Sequence, residues 1–273
     1  VTDSVTFVGA ASALLRLGAF TVLTDPNFLH AGQRLGAPGW SRRRTDPGPA
    51  MERLPTLDAI LLSHAHGDHF DRVARRALPT AVPVVTNRSA GRRVQRWGFD
   101  QTIGLSTWDS TELRRGDQVL RVTAVPARHG PAGLHRAMAT TTGSILDLEV
   151  PGRPRRRLYI SGDTICAPDV LRQLPHRFPD IDTALIHLGG PRVLGVLVTM
   201  NSRPARDLVR LMRPRPPAPV HFDDSPALRE PLVPLLAMAD ATPAGTQVVQ
   251  RGQTINLVEP APRQAGSRPP ALR

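Results

Sequence analysis

The sequence predicts an α/β fold, and three observations predict it. Three short apolar runs, Val5–Val8, Ser12–Leu17 and Phe20–Thr24, open the chain as a meander of strands. An apolar run at Ala59–Leu62, a helical stretch at Asp71–Leu78 and a further run at Val82–Thr86 then make a strand–helix–strand step. Beyond that step, histidines and carboxylates recur directly after apolar runs and beside glycines, which places polar groups at strand ends.

Taken in order, the meander stops at Asp25-Pro26-Asn27, because proline cannot continue a ladder; Asp25 reads as a support for a site ligand or as a turn former, and spacing alone favours the turn. Residues 30–56 are rich in Gly, Pro and Arg, show no periodicity and read as a long loop, which either overhangs the site with Trp40 as a substrate wall or is a disordered surface excursion. Ser89–Trp97 reads as a second helix with its basic residues outward and Gly98 as its stop. Thr102–Leu105, Glu112–Arg115 and Val119–Val125 suit strands, with a turn at Gly116-Asp117. Thr142–Val150 and Leu158–Ile160 are strands on either side of a basic turn at Gly152–Arg157. A helix near Ala167–Leu174, a strand at Thr183–Ile186 and a helix at Ser202–Met212 follow. Arg213–Pro219 reads as a Pro-rich connector, and Gln247–Val258 as a closing hairpin turning at Gly252. Residues 1–259 are expected to form one domain, and residues 260–273, which lack an apolar pattern, a disordered tail.

Composition narrows the function classes. The chain has 273 residues, and its 40% hydrophobic fraction supplies a sizeable core. It contains no transmembrane-length apolar stretch and no leader-like N-terminal pattern, so a cytoplasmic location is expected. The single cysteine, Cys166, excludes an intramolecular disulfide and a Cys-rich zinc cluster, so a metal here must be held by His and carboxylate. All 35 basic residues are arginine, for a net charge of +12. Composition bias and a polyanion site both explain that excess.

The densest chemistry lies at His64-Ala65-His66-Gly67-Asp68-His69, immediately after the apolar Ala59–Leu62. On an extended strand end His64 and His66 point to one side. Gly67 lets the chain turn, and Asp68 and His69 can then face a second point. One short loop can hold two metal ions side by side. Further on, His129 follows the strand Val119–Val125, Asp163 sits in Ser161-Gly162-Asp163-Thr164, and His221 follows Val220.

In motif and order these residues resemble the metallo-β-lactamase superfamily, whose H-x-H-x-D-H signature the 64–69 stretch matches. Leu23-Thr24-Asp25-Pro26, Ser-Gly-Asp-Thr and Met200-Asn201 resemble its compact branch, which includes the ascorbate-6-phosphate lactonase and the N-acyl phosphatidylethanolamine phospholipase D. The resemblance implies an αββα sandwich of two mixed sheets flanked by helices, with the site at one edge. It implies that His64, His66 and His129 hold one divalent metal, that Asp68, His69 and His221 hold another, and that Asp163 bridges them. Zinc is the first choice for so His-rich a set, with Mn2+ and Fe2+ as alternatives. The chain departs from the branch at Gly9-Ala10, at His187 and at Phe222-Asp223-Asp224, so the substrate does not transfer.

The function expected is a dinuclear metal-dependent hydrolase, in which a hydroxide shared by the metals attacks a small ester, lactone or phosphodiester. Asp68 is expected to orient that hydroxide and pass a proton to the leaving group. His187, at a strand end, reads either as a packed histidine with its hydrogen bonds satisfied or as a group that binds an anionic part of the substrate or donates a proton. Asp223 and Asp224 are candidates to support a metal-bound imidazole. Two alternatives stand beside this reading: a nucleic-acid phosphodiesterase, favoured weakly by the arginines, and a non-catalytic metal-dependent binding or sensing protein.

Overall fold

Strands buried on both faces must be apolar on both, and the central strands of this chain are. The computed structural model describes residues 2–34, 42–167, 171–212, 214, 217–222, 224, 228 and 249–258. Numbered in chain order, seven strands form one sheet: β1 Ser4–Gly9, β2 Ser12–Leu17, β3 Phe20–Thr24, β4 Ala59–Leu62, β5 Val84–Asn87, β6 Thr102–Leu105 and, from the far end of the chain, β15 Thr254–Asn256. Their order is β15-β1-β2-β3-β4-β5-β6, antiparallel from β15 to β3 and parallel from β3 to β6. The second sheet has β7 Ser110–Arg115, β8 Gln118–Val125, β9 Gly143–Glu149, β10 Arg156–Ile160, β11 Thr183–His187 and β14 Pro217–Val220, in the order β14-β11-β10-β9-β8-β7. A small hairpin pairs β12 Arg192–Val193 with β13 Val196–Leu197.

Period-2 alternation divides the first sheet's side chains between two packing layers. Leu15, Leu17, Val22, Leu61 and Val85 join Leu120, Val122, Ile145 and Leu146 of the second sheet in one cluster, so the two sheets close on each other. Their neighbours Leu14, Leu23, Ile60, Leu62 and Val84 form a second cluster with Phe70 and Phe99. That outer layer also takes Ala74 of α1 (Arg72–Ala77) and Ala90 and Val94 of α2 (Arg88–Arg96), the helices that join successive parallel strands. Each begins on a side-chain cap: Asp71 accepts from the Ala74 amide, and Asn87 from the Ala90 amide. On the second sheet, Leu174 of α3 (Gln173–Arg177) and Ala205, Leu208 and Val209 of α4 (Ser202–Met212) are buried. The result is two mixed sheets with helices packed on them.

Three sequence expectations change. Arg156 and Arg157 belong to β10 instead of a basic turn, because buried carboxylates partner them. Arg157 Nε and Nη2 bond Asp147 directly across the ladder at 2.7 and 3.2 Å. The Pro-rich connector contains β14, which pairs parallel with β11; as an edge strand it tolerates proline. The expected closing hairpin contributes, among the described residues, one strand, β15, which pairs with β1 instead of folding on itself. Of the helix expected near Ala167–Leu174, residues 168–170 lie outside the described residues; Leu171 is helical, and α3 follows at Gln173–Arg177. Trp40, Asp223 and the expected tail lie outside the described residues. No helix among the described residues is long and apolar enough to cross a membrane.

Asp3 ties the two sheets together. Its buried carboxylate accepts from Arg156 Nε of the second sheet at 2.5 Å and from the Gly18 amide of the β2–β3 turn at 2.7 Å. Arg156 is 2% exposed, so removing Asp3 takes a carboxylate from a buried cation. Asp3→Ala is therefore expected to lower stability by about 3 kcal/mol in urea unfolding; a loss below about 1 kcal/mol would show that the tie carries little.

Candidate metal centre

Parallel strands send their following loops to a common edge, and here those loops carry the site. β4 runs into Ser63–His69; β8 leads to His129, β10 to Asp163 and β14 to His221, while β3 ends one residue before Asp25. After Gly67 the amides of His69 and Phe70 both bond the His66 carbonyl, at 3.2 and 3.0 Å. That tight turn brings the His69 ring back to 4.0 Å from the His64 ring. Asp25 and His221 both sit at positive φ, +38° and +61°. Non-glycine residues are held in that region only where surrounding structure demands it, which is common at functional positions.

The structure brings all seven expected residues together, in overlapping groups. Donor atoms of His64, His66 and His129 lie within 4.8 Å of one another, as do those of Asp68, His69 and His221, and those of His64, His69 and Asp163. The shared members make the first two groups neighbours. His129, His69 and His64 are each aimed by their other nitrogen. His129 Nδ1 donates to the Val198 carbonyl at 2.9 Å, leaving Nε2 facing Asp163 Oδ2 at 3.9 Å. His69 Nδ1 meets Asp25 Oδ2 at 3.2 Å, leaving Nε2 at 3.5 Å from Asp163 Oδ2. His64 Nδ1 contacts the Ser63 hydroxyl at 3.0 Å, and its Nε2 faces His66 Nδ1 at 2.8 Å. His221 Nε2 lies 3.5 Å from Asp68 Oδ2.

The electrostatics favour a cation. Burial would raise the carboxyl of Asp163, yet His221 and His69 outweigh it and hold it well below its usual range. Asp68 shows the same balance: burial opposes ionisation, and the contacts with His221 and His69 prevail. Asp25 is held down to about 2, with burial again overcome by His69 and His187. His64 moves the other way: burial, then the neighbouring His69 and His66, push it well below its usual value and keep a neutral nitrogen lone pair. His64 thus holds the neutral state in which an imidazole binds metal, whereas at His69 and His221 burial is outweighed by Asp163, which raises both, so a metal held there would displace their protons. Among the described residues, the buried atoms His69 Nε2, His221 Nε2 and Asp163 Oδ1 have no hydrogen-bond partner, and each unmade bond costs about 1–3 kcal/mol. Nitrogen and oxygen donors grouped in this way suit zinc, manganese or iron.

Asp25 corrects the expectation of a turn former. It is 1% exposed; one oxygen accepts from the Ser63 amide and hydroxyl at 2.7 and 3.0 Å, and the other contacts His69 and His187. An acid placed directly after a buried strand, as Asp163 is, was the available signal. His187 ends β11. It is fully buried, its Nε2 3.2 Å from Asp25 and its Nδ1 3.3 Å from the Ser161 hydroxyl, so both nitrogens that would meet a substrate are engaged. Asp224 supports no imidazole directly: its carboxylate holds the Ala10 amide and pairs with Arg43 and Arg251, while the Ala10 carbonyl accepts from the His221 amide. Sequence reasoning missed Thr199, whose hydroxyl donates to Asp163 Oδ2 at 3.1 Å, and the Val198 carbonyl that aims His129. Burial pushes the Cys166 thiol up to about 11, which suits a packed residue and not a nucleophile.

Comparison with known proteins supplies a family. The model of the beta-lactamase superfamily domain matches residues 21–222. A UPF0173 metal-dependent hydrolase of Anaeromyxobacter sp. (strain K) is 30% identical over 229 residues, covering 82% of this chain and 76% of its own. One from Pyrococcus furiosus is 28% identical over 225 residues, covering 82% and 86%. Among solved structures, a possible metal-dependent hydrolase from Veillonella parvula superposes with a TM-score of 0.78 at 20% identity, covering 94% of this chain and all of its own. An isothiocyanate hydrolase from Delia radicum gut bacteria reaches 0.77 at 18% identity, covering 92% and 98%. Matched over most of its length by the family model and by relatives of this kind, the chain belongs to the metallo-β-lactamase superfamily and is a metal-dependent hydrolase.

Proposed function

We propose that the enzyme is dinuclear and hydrolyses a small ester, lactone or phosphodiester. The observation that carries this reading is the overlap of donor groups: His64, His66 and His129 beside Asp68, His69 and His221, with Asp163 reaching His129, His69 and His221 at 3.9, 3.5 and 3.7 Å. The first three would hold one cation and the second three another, with Asp163 between them and zinc as the first choice of metal. A pair of divalent cations held there would lower the pKa of water towards neutrality and would offset charge developing on the substrate oxygen.

The protein's own groups do the rest. Asp68, the one partly exposed carboxylate of the set, stays ionised and is positioned by His221. Its carboxylate takes a proton from the attacking water and delivers it to the departing oxygen as the scissile bond breaks. Asp25 anchors His69, and His187 with Ser161 anchors Asp25; we assign His187 this positioning role in place of a substrate contact. Burial of both residues keeps that chain free of competing water.

Two results test this reading. Protein stripped with a chelator is expected to lose turnover on a panel of generic lactones, esters and phosphodiesters and to regain it with Zn2+, while His66→Ala lowers kcat/KM by roughly 100-fold or more; turnover that survives both treatments would overturn it. Asp25→Asn is expected to weaken metal retention by about 10- to 100-fold, read by competition with a chromophoric chelator. Unchanged retention would reduce Asp25 to a packing role.

A further inference from the structure

The arginines are not distributed evenly over this fold. On the second sheet and at its junction with the first, they face carboxylates: Arg121 contacts Glu112 at 2.7 Å, Arg115 contacts Asp58 at 2.7 Å, and Arg157 contacts Asp147 at 2.7 Å. The two helices on the outer face of the first sheet differ. α1 reads Arg-Val-Ala-Arg-Arg-Ala and α2 reads Arg-Ser-Ala-Gly-Arg-Arg-Val-Gln-Arg, with no acidic residue in either. Arg72 and Arg76 of α1 are exposed, as are Arg88, Arg92, Arg93 and Arg96 of α2. Among the described residues, the one carboxylate within 4.0 Å of any of their guanidinium groups is Asp109, at 3.8 Å from Arg88. Asp71, at the head of α1, is buried, and its oxygens accept from the amides of Ala74, Phe28 and Leu29.

The two helices also bring their charges together. Arg75 lies over the Trp97 ring at 4.3 Å and Arg93 approaches the same ring at 5.7 Å, so the indole gathers cations from both helices. Partial burial lowers the Arg75 pKa, Asp71 opposes the shift, and the nearby Arg93 and Arg76 add to it. Like charges crowded in this way work against folding unless a partner of opposite charge offsets them. Arg88, Arg92 and Arg96 recur every four residues and form a row along α2 with a rise of about 6 Å per step.

We infer that the α1–α2 face is a docking surface for the phosphate backbone of nucleic acid. A row of planar guanidinium groups matches a series of discrete phosphates. An anionic membrane is the poorer fit, because a helix that binds one buries apolar side chains in the lipid. The exposed large hydrophobic residues of the described chain are Leu194, Val196 and Val258, all outside these helices. The surface is independent of the hydrolytic reading, since it contains none of the residues assigned to the metal centre.

The test is fluorescence anisotropy of the full-length protein with a fluorescein-labelled 20-base-pair DNA duplex at 50 and 200 mM KCl. Engagement of about three or four phosphates predicts a Kd that rises roughly 40- to 150-fold between these salts. Arg92→Glu/Arg96→Glu should weaken binding at least tenfold at 50 mM KCl. Arg203→Glu/Arg210→Glu on α4, an equal change of net charge, should leave it within about twofold. Both pairs are exposed, and thermal melts would check that each variant folds. Three outcomes would overturn the inference: no binding at 50 mM KCl with 20 µM protein, equal loss in both variants, or sedimentation with phosphatidylserine vesicles without duplex binding.

Discussion

Burying imidazoles beside carboxylates is the constraint on which the rest of this structure depends. His64, His69, His129 and His221 are each 5% exposed or less, and Asp25 and Asp163 are 3% or less. Taking such groups out of water is costly unless their lone pairs and charges are matched. Part of the matching is internal: Asp25 and the Ser63 hydroxyl aim His69, the Val198 carbonyl aims His129, and the Thr199 hydroxyl holds Asp163. The atoms left over point at one another across a few ångströms, and the proposed cations would satisfy them. A fold of two closed sheets is what makes the convergence possible, because loops from both layers reach a common edge only when the sheets pack face to face.

The positioning groups lie one step further from solvent than the donors. His187 and Ser161 come from the second sheet, Asp25 and Ser63 from the first, and they meet behind His69. The metal centre therefore also joins the layers, complementing the Asp3–Arg156 pair. Stability and function share residues at this edge, so changes to Asp25 are expected to show in both.

Much of this was legible in the sequence, for physical reasons that differ from residue to residue. The 64–69 cluster is readable because no packing argument explains three imidazoles and a carboxylate within six residues. The strands of the meander and α4 are readable because burial on known faces imposes a period. Asp25 was misread because an acid before proline has a sufficient local explanation as a turn, and its partners His69 and His187 are 44 and 162 residues away. His187 was legible only in part: its strand-end position shows in the sequence, but its burial depends on a neighbour that the sequence alone does not reveal. Val198 acts through its carbonyl, which leaves no mark on residue identity. The Pro-rich β14 contradicts average strand propensity and is allowed only by its place at a sheet edge.

The central claim is that two cations sit side by side on this set of donors. Anomalous diffraction at the zinc edge, from crystals grown with Zn2+, tests it most directly. The account predicts two peaks, one among His64, His66 and His129 and one among Asp68, His69 and His221, with Asp163 adjacent to both. A single peak, or peaks away from these residues, would contradict it.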